Sequence, residues 1–306
     1  MDVDVSFAEI GLQSRFAEVN GIRLHYVVAG EGPLLLLVHG FPQHWYAFRH
    51  QLLEFSKDHT VVAVDLRGVN LSGKPANAWE HGVWFSVEDM RALIRHLGFS
   101  TCTLVGHDWG GAIGYSLALH YPDVLERLVV LSASHPGTFD RELHENLAQI
   151  QAGANWLFLR RKDSASRLMA NDFAALRVRF AEHEFFSEQD REIYLAAWRQ
   201  PGAVQAMVGW YQKEGWGPAE GATPAHGNYV QEVSPLVVKT ETLVIYGDAD
   251  QYILPGNFEG LDTYVSRLTL IKIAGGSHWM LDEHPELINR HIRQFIRGGA
   301  PAEVPA

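Results

Sequence analysis

The chain reads as an α/β fold, a mostly parallel sheet with helices on both faces and a helical lid inserted after the sixth strand. Two observations predict it. Short continuous apolar runs alternate with stretches of helical periodicity, the pattern of parallel strands buried on both faces. That rhythm breaks over residues 136–224, where no buried-strand run occurs and Trp, Phe, Tyr and Arg accumulate in helical patterning. In order, residues 21–28 alternate like an antiparallel strand, and 33–39 form an apolar run that suits a buried strand. Residues 61–65 repeat that run after a stretch suited to a helix, and 87–97 are amphipathic at helical spacing. Gly98 then leads to a strand at 103–105, and the small residues of 111–120 form a helix that stops before Pro122. Residues 127–132 give the next strand, so five strands before the insertion are individually legible. Strands at 242–247 and 268–274 and a helix near 286–296 close the chain. The expected domains are therefore a core of 1–135 and 225–306 and a lid of 136–224, bounded by His135-Pro-Gly137 and the Gly/Pro-rich residues 215–224. The tail, 298–306, is expected to fray.

Composition narrows the function classes. At 306 residues and 47% hydrophobic the chain can bury a large core. Its 25 basic and 36 acidic residues leave a net charge of −11, which argues against a nucleic-acid partner. Cys102 is the single cysteine, so no internal disulfide forms; it is expected to be an inert core residue in a reducing compartment. The first ten residues lack a basic start and a long apolar run, and no segment reaches the about 18 apolar residues needed to span a bilayer. A cytoplasmic protein without a membrane partner is expected. No HExxH, CxxC pair or phosphate-type glycine loop is present, so neither a metal nor an organic cofactor is expected. Oligomeric state has no signal in the sequence.

The chemistry concentrates at Val105-Gly-His-Asp-Trp-Gly-Gly111, a sharp turn between strand and helix with a carboxylate at its tip. Gly106 and Gly110 permit the tight backbone, which forces Asp108 into a strained, exposed position. A carboxylate is ionised at neutral pH and suits displacement at an sp3 carbon of an epoxide or a carbon–halogen bond. A base and its orienter should follow on loops after later strands. Gly275-Gly-Ser-His278 supplies His278 as base, and Gly247-Asp-Ala-Asp250 offers two acids. Asp250 is preferred because it lies farther along its loop and can turn toward His278; Asp248, directly after Gly247, suits a turn-stabilising role.

With His39-Gly-Phe-Pro42, Asp65-Leu-Arg-Gly68 and Gly276-Ser-His-Trp279, these motifs resemble the α/β-hydrolase superfamily, in its branch of epoxide hydrolases and haloalkane or haloacetate dehalogenases. The likeness spans about residues 16–297, and the elbow aspartate is its specific part. Val69-Asn70 departs where the family commonly has glycine; Asn tolerates the positive φ expected there. The resemblance implies that Asp108 forms an alkyl ester, that His278 supported by Asp250 activates water to hydrolyse it, and that the backbone N–H groups of Phe41 and Trp109 hold the oxyanion.

The leaving group depends on the lid. Residues 200–211 resemble the epoxide-hydrolase segment whose tyrosine protonates the epoxide oxygen, which makes Tyr211 the expected donor. The partner tyrosine is missing: Ala154 stands in the matching place, leaving Asn155 and the Trp156 indole as candidates. A dehalogenase would instead use indole N–H groups, and Trp109 and Trp156 offer such a pair. Phe41 replaces the halide-binding asparagine of many haloalkane dehalogenases. Trp109 and Ala112 replace the carboxylate-binding arginines of the haloacetate branch, so no carboxylate clamp is visible there. Asn155, Trp156 and Tyr211 also resemble that branch's halide pocket, with asparagine in place of histidine. An epoxide hydrolase is the preferred reading, with a small apolar epoxide and water as substrates. A dehalogenase is the alternative, and an inactive ligand-binding module a minor one that the complete set of Asp108, Asp250 and His278 opposes. The run Arg160-Arg-Lys162 reads as a solvated face.

Overall fold

The computed structural model describes residues 10–75, 77–213 and 236–298. Its sheet is built from β1 (Gln13–Val19), β2 (Ile22–Ala29), β3 (Leu34–Val38), β4 (Thr60–Val64), β5 (Cys102–His107), β6 (Leu125–Leu131), β7 (Glu241–Gly247) and β8 (Leu268–Ile273). These lie in the order β1-β2-β4-β3-β5-β6-β7-β8. The pairs β1–β2 and β2–β4 are antiparallel and all later neighbours are parallel. Strand β1 is the one that sequence patterning misses, because most of its side chains are exposed at the sheet edge and no apolar run marks it.

Both faces of the sheet are covered. On β3, Leu36 and Val38 pack in one cluster with Met90 and Leu93 of α2 (Val83–His96) and Ile113 of α3 (Trp109–His120). Leu35 and Leu37 pack on the other face with Leu52 and Phe55 of α1 (Arg49–Phe55). The continuous apolar run of β3 is thus used on both sides. Cys102 lies buried in the first cluster, and burial pushes its thiol up, away from reactivity.

Between β6 and β7 the described chain is helical: α4 (Pro136–Glu145), α5 (Leu147–Ala152), α6 (Ala154–Arg160), α7 (Ser164–Leu176), a π-helical turn at Arg177–Ala181, α8 (Glu188–Trp198) and α9 (Ala203–Lys213). The α7 segment is broken by left-handed residues Asn171, Asp172 and Phe173. The expected lid boundary at 215–224 lies outside the described residues, as do all but the first residue of the expected frayed tail. The helical segment is seated on the core by buried polar contacts. Trp198 Nε1 donates to the Pro42 carbonyl at 2.7 Å, and the Tyr46 hydroxyl donates to Asp190 at 2.9 Å. Arg49 joins Asp190 to Asp282, which precedes the last described helix, α11 (Pro285–Ile296), by way of the short helix α10 (Met280–Glu283). Burial holds the Asp282 carboxyl up at about 6 even though Arg49 opposes it. No described helix is long and apolar enough to cross a membrane.

Candidate active site

The Asp108 turn is held by backbone geometry. Its φ of 52° and ψ of −118° lie where non-glycine residues are strained by about 1–3 kcal/mol, a state that persists because neighbours over-determine it. The Asp108 N–H donates to the Leu131 carbonyl at 3.1 Å, and its carbonyl accepts from Gly111 at 2.9 Å. A β-carbon on Gly110 would meet the Val38 carbonyl oxygen at 1.9 Å, so the helix can cross β3 this closely only with glycine there. At Gly40 a β-carbon would lie 2.1 Å from Asp108 Oδ1.

The two carboxylate oxygens of Asp108 face different partners. Oδ1 accepts the Phe41 N–H at 2.8 Å, while Oδ2 lies 3.5 Å from His278 Nε2. The side chain is 18% exposed, a correction to the exposed position expected from the turn alone. The elbow does aim it out of the sheet, but residues of the helical segment, Trp156 and Tyr211 among them, share the pocket it lines. The His278 Nδ1 meets Asp250 Oδ2 at 2.7 Å, and Asp250 Oδ1 accepts the N–H groups of Tyr252 and Ile253 at 2.8 and 3.0 Å. Asp248 instead accepts the Gly275 N–H at 2.7 Å, bracing one turn against the other.

Charge follows this geometry. Burial alone would push the imidazole of His278 down, but Asp250 and Asp108 outweigh it and raise it to about 10. Burial likewise works to raise Asp108, and the bond and charge of His278, with the Phe41 N–H, bring it below the ordinary carboxylate range. The resting pair is therefore carboxylate and imidazolium. Behind them, His107 Nε2 bonds the His278 carbonyl oxygen at 2.8 Å. Burial and the neighbouring His278 hold His107 down at about 4, so it is neutral and donates from Nε2. Its Nδ1 must then accept, which requires Gln43, 2.8 Å away, to turn its amide nitrogen toward the ring.

Across the pocket stands Tyr211 of α9, 5% exposed and edge-on to Trp109, Phe41 and Trp156 at ring distances of 5.2, 5.3 and 5.3 Å. Burial and then the Asp108 charge hold its phenol well above the ordinary value, while the neighbouring Trp109 indole works the other way. A phenol raised in this manner stays protonated and can donate. Trp156 stacks on Trp109 at 5.7 Å. Asn155 accepts a hydrogen bond from Arg179 at its Oδ1. A guanidinium only donates, so this bond fixes the amide orientation and leaves the Asn155 NH2 as donor for the pocket it lines. The Trp109 N–H opens α3, where leading N–H groups take acceptors outside the helix.

The structure therefore brings Asp108, Asp250, His278, Phe41, Trp109, Tyr211, Asn155 and Trp156 to one place. It also adds two residues that patterning missed. Tyr252 packs edge-on to His278 at 5.0 Å, and Arg179 lines the same pocket from the π-helical turn. Tyr252 carries a usable signal, being two residues beyond Asp250 on a loop already singled out. Arg179 carries none. The Asp65 turn agrees with the sequence: Asn70 has a φ of 42° and its side chain donates to Asp65 at 2.8 Å.

A family model described as the α/β hydrolase fold matches residues 33–285. The chain is 32% identical over 295 residues to "Epoxide hydrolase 4" of Mus musculus, covering 91% of this chain and 77% of that protein. It is similar in structure to the Bacillus megaterium epoxide hydrolase in complex with an inhibitor, with a TM-score of 0.86, 31% identity, and 92% and 100% of the two chains covered. A variant of that bacterial enzyme, complexed with its product (R)-3-[1]naphthyloxy-propane-1,2-diol, superposes with a TM-score of 0.87 at 31% identity, again over 92% and 100%.

Proposed function

The chain belongs to the α/β-hydrolase fold family, and from that premise we propose that it is an epoxide hydrolase that works through an alkyl ester on Asp108. The observation that carries the reading is the opposition of Asp108 Oδ2 and the Tyr211 phenol across one pocket, with His278 and Asp250 paired at 2.7 Å beside it. Asp108 Oδ2 attacks an epoxide carbon in line with the C–O bond, and that bond's electron pair goes to oxygen. Tyr211 and the Asn155 NH2 hydrogen-bond the developing alkoxide, and Tyr211 gives it a proton. Trp156 closes the apolar wall. The helices α4 to α9, the described part of the lid that the sequence places at 136–224, act as a cap over the core.

Ester formation removes the charge of Asp108. His278 then keeps only one of the two carboxylates that raise it, so its proton passes through pocket water to the Tyr211 phenolate, which restores the phenol and leaves a neutral imidazole to act as base. Water loses a proton to His278 Nε2 and attacks the ester carbonyl carbon, whose oxygen Oδ1 already lies against the Phe41 N–H. The Trp109 N–H supplies the second oxyanion donor. Collapse releases the diol and returns the carboxylate. Asp250 holds the ring in the tautomer this requires. We place this chemistry in the cytoplasm, where the single cysteine stays reduced. No metal or organic cofactor takes part in any step.

The test is a His278→Asn variant given a small neutral epoxide such as styrene oxide. The expected result is a covalent adduct on Asp108 by intact mass and peptide mapping, with diol formed only by the unsubstituted enzyme. A dehalogenase is the second reading, favoured by the stacked Trp109 and Trp156 indoles. Halide release from organohalides without any diol from epoxides would reverse the order.

A further inference from the structure

The catalytic pocket opens into a cleft of about 740 Å³, and Arg179 lies at the junction, lining both spaces. We propose that this site is built for epoxides that carry a carboxylate on a short apolar chain, with Arg179 as the carboxylate's partner; this rests on the epoxide reading of the same site. Three features of the segment support it. Five neighbouring arginines are paired: Arg161 and Arg167 with Asp163, Arg177 and Arg199 with Asp172, and Arg191 with Glu188. Among the described residues Arg179 has no carboxylate within ion-pair distance, and its one hydrogen bond goes to the neutral Asn155 amide. One guanidinium nitrogen is used there, and the rest of its fork is left for an anion.

The lining of the cleft points the same way. In a chain with 36 acidic residues against 25 basic ones, no Asp or Glu among the described residues lines this cleft. Its wall beside Arg179 is Ala152, Ala174, Ala175 and Val178, the last exposed at 69%, a surface that suits an alkyl spacer. The backbone that presents these residues is irregular. Asn171, Asp172 and Phe173 have φ of 51°, 51° and 60°, and the π-helical turn Arg177–Ala181 follows directly after α7. Strained and π-helical segments concentrate at functional sites. A carboxylate paired with a guanidinium forms two parallel charge-assisted bonds, whereas a primary amide of the same skeleton presents a single acceptor.

The experiment compares 5,6-epoxyhexanoate with its primary amide, with styrene oxide as a neutral reference. The acid is expected to show a kcat/KM about tenfold above the amide, an advantage that shrinks with added salt. In Arg179→Gln the acid-to-amide ratio falls to about one, and in Arg179→Lys, which keeps the charge but not the fork, it falls partway. Hexanoate is expected to inhibit styrene oxide turnover more strongly than hexanamide, and Arg179→Gln to remove that difference. Equal turnover of acid and amide, with diol still formed from styrene oxide, overturns this inference and leaves the epoxide reading standing. A ratio that survives in Arg179→Gln assigns the preference to another residue and likewise overturns it. Inhibition by hexyl phosphate well above that by hexanoate overturns the carboxylate as the recognised anion. No diol from any epoxide overturns both readings together.

Discussion

The two walls of the pocket are held in different ways. On the core side, Asp108 is fixed by its own backbone and by β3 and β6, through bonds to Leu131 and Phe41 and the close approach of Gly110 to Val38. His278 and Asp250 sit on loops that follow parallel strands β8 and β7. On the helical side, Tyr211 and Trp156 are held against Trp109 of the core helix α3 by ring contacts of 5.2–5.7 Å, and the segment meets the core through a few buried polar bonds such as that of Trp198. Backbone hydrogen bonds and steric exclusions define one geometry, whereas edge-on aromatic contacts tolerate substitution and repacking. The difference teaches that the Asp108 wall is hard to alter without disturbing the fold, while the aromatic wall opposite is open to change.

The largest expected effect is on the rigid wall. Asp108→Ala should lower diol formation by about 10⁴-fold or more and lower the Tm, since alanine keeps the strained backbone while the His278 imidazolium loses a carboxylate partner; retained turnover would break the contrast by removing the proposed nucleophile from it. Asp250→Asn should cost about 10³-fold in kcat, with the apparent His278 titration moving below 10 by NMR, because the amide supplies no charge to stabilise the imidazolium. On the adaptable wall, Tyr211→Phe is expected to lower kcat about 10²-fold with a smaller change in KM, the signature of a donor that acts in the transition state.

A pH experiment sharpens the comparison. His278 is raised from 6.5 to about 10 in the folded chain, so the stability it contributes is fully present below pH 6.5 and is lost as pH rises through about 10. The Tm difference between the wild-type chain and His278→Gln should shrink over that window, and a constant difference would contradict the imidazolium pair. The smallest effect is at the seam: Trp198→Phe removes the bond to Pro42 and should cost about 1 kcal/mol by denaturant unfolding, with KM rising more than kcat falls.

Legibility in the sequence divides along the same line. The strands β3 to β7 were readable because burial on both faces leaves continuous apolar runs, β8 was readable from its Leu/Ile run although it is half-exposed at the sheet edge, and β1 was not because its residues are largely exposed. The expectation that Asp250, not Asp248, meets His278 agrees with the contacts: the nearer acid braces Gly275 and the farther one reaches the ring. The exposure of Asp108 was misjudged, since the turn determines where the side chain leaves the sheet but not what covers it. Arg179 was invisible, because nothing local separates it from the paired arginines around it.

By itself the sequence determined the positions of Asp108, His278 and Asp250, which the fold brings together. Glycines at an elbow and acids at strand ends act through the few residues around them, and such constraints are written locally. Only the tertiary structure decided that Asn155 turns its amide nitrogen inward, that Tyr252 stands beside His278, and that Arg179, unlike the five paired arginines near it, has no carboxylate partner among the described residues. Those outcomes depend on which distant segments pack together, and a side chain's partners across such a contact leave no period or spacing along the chain.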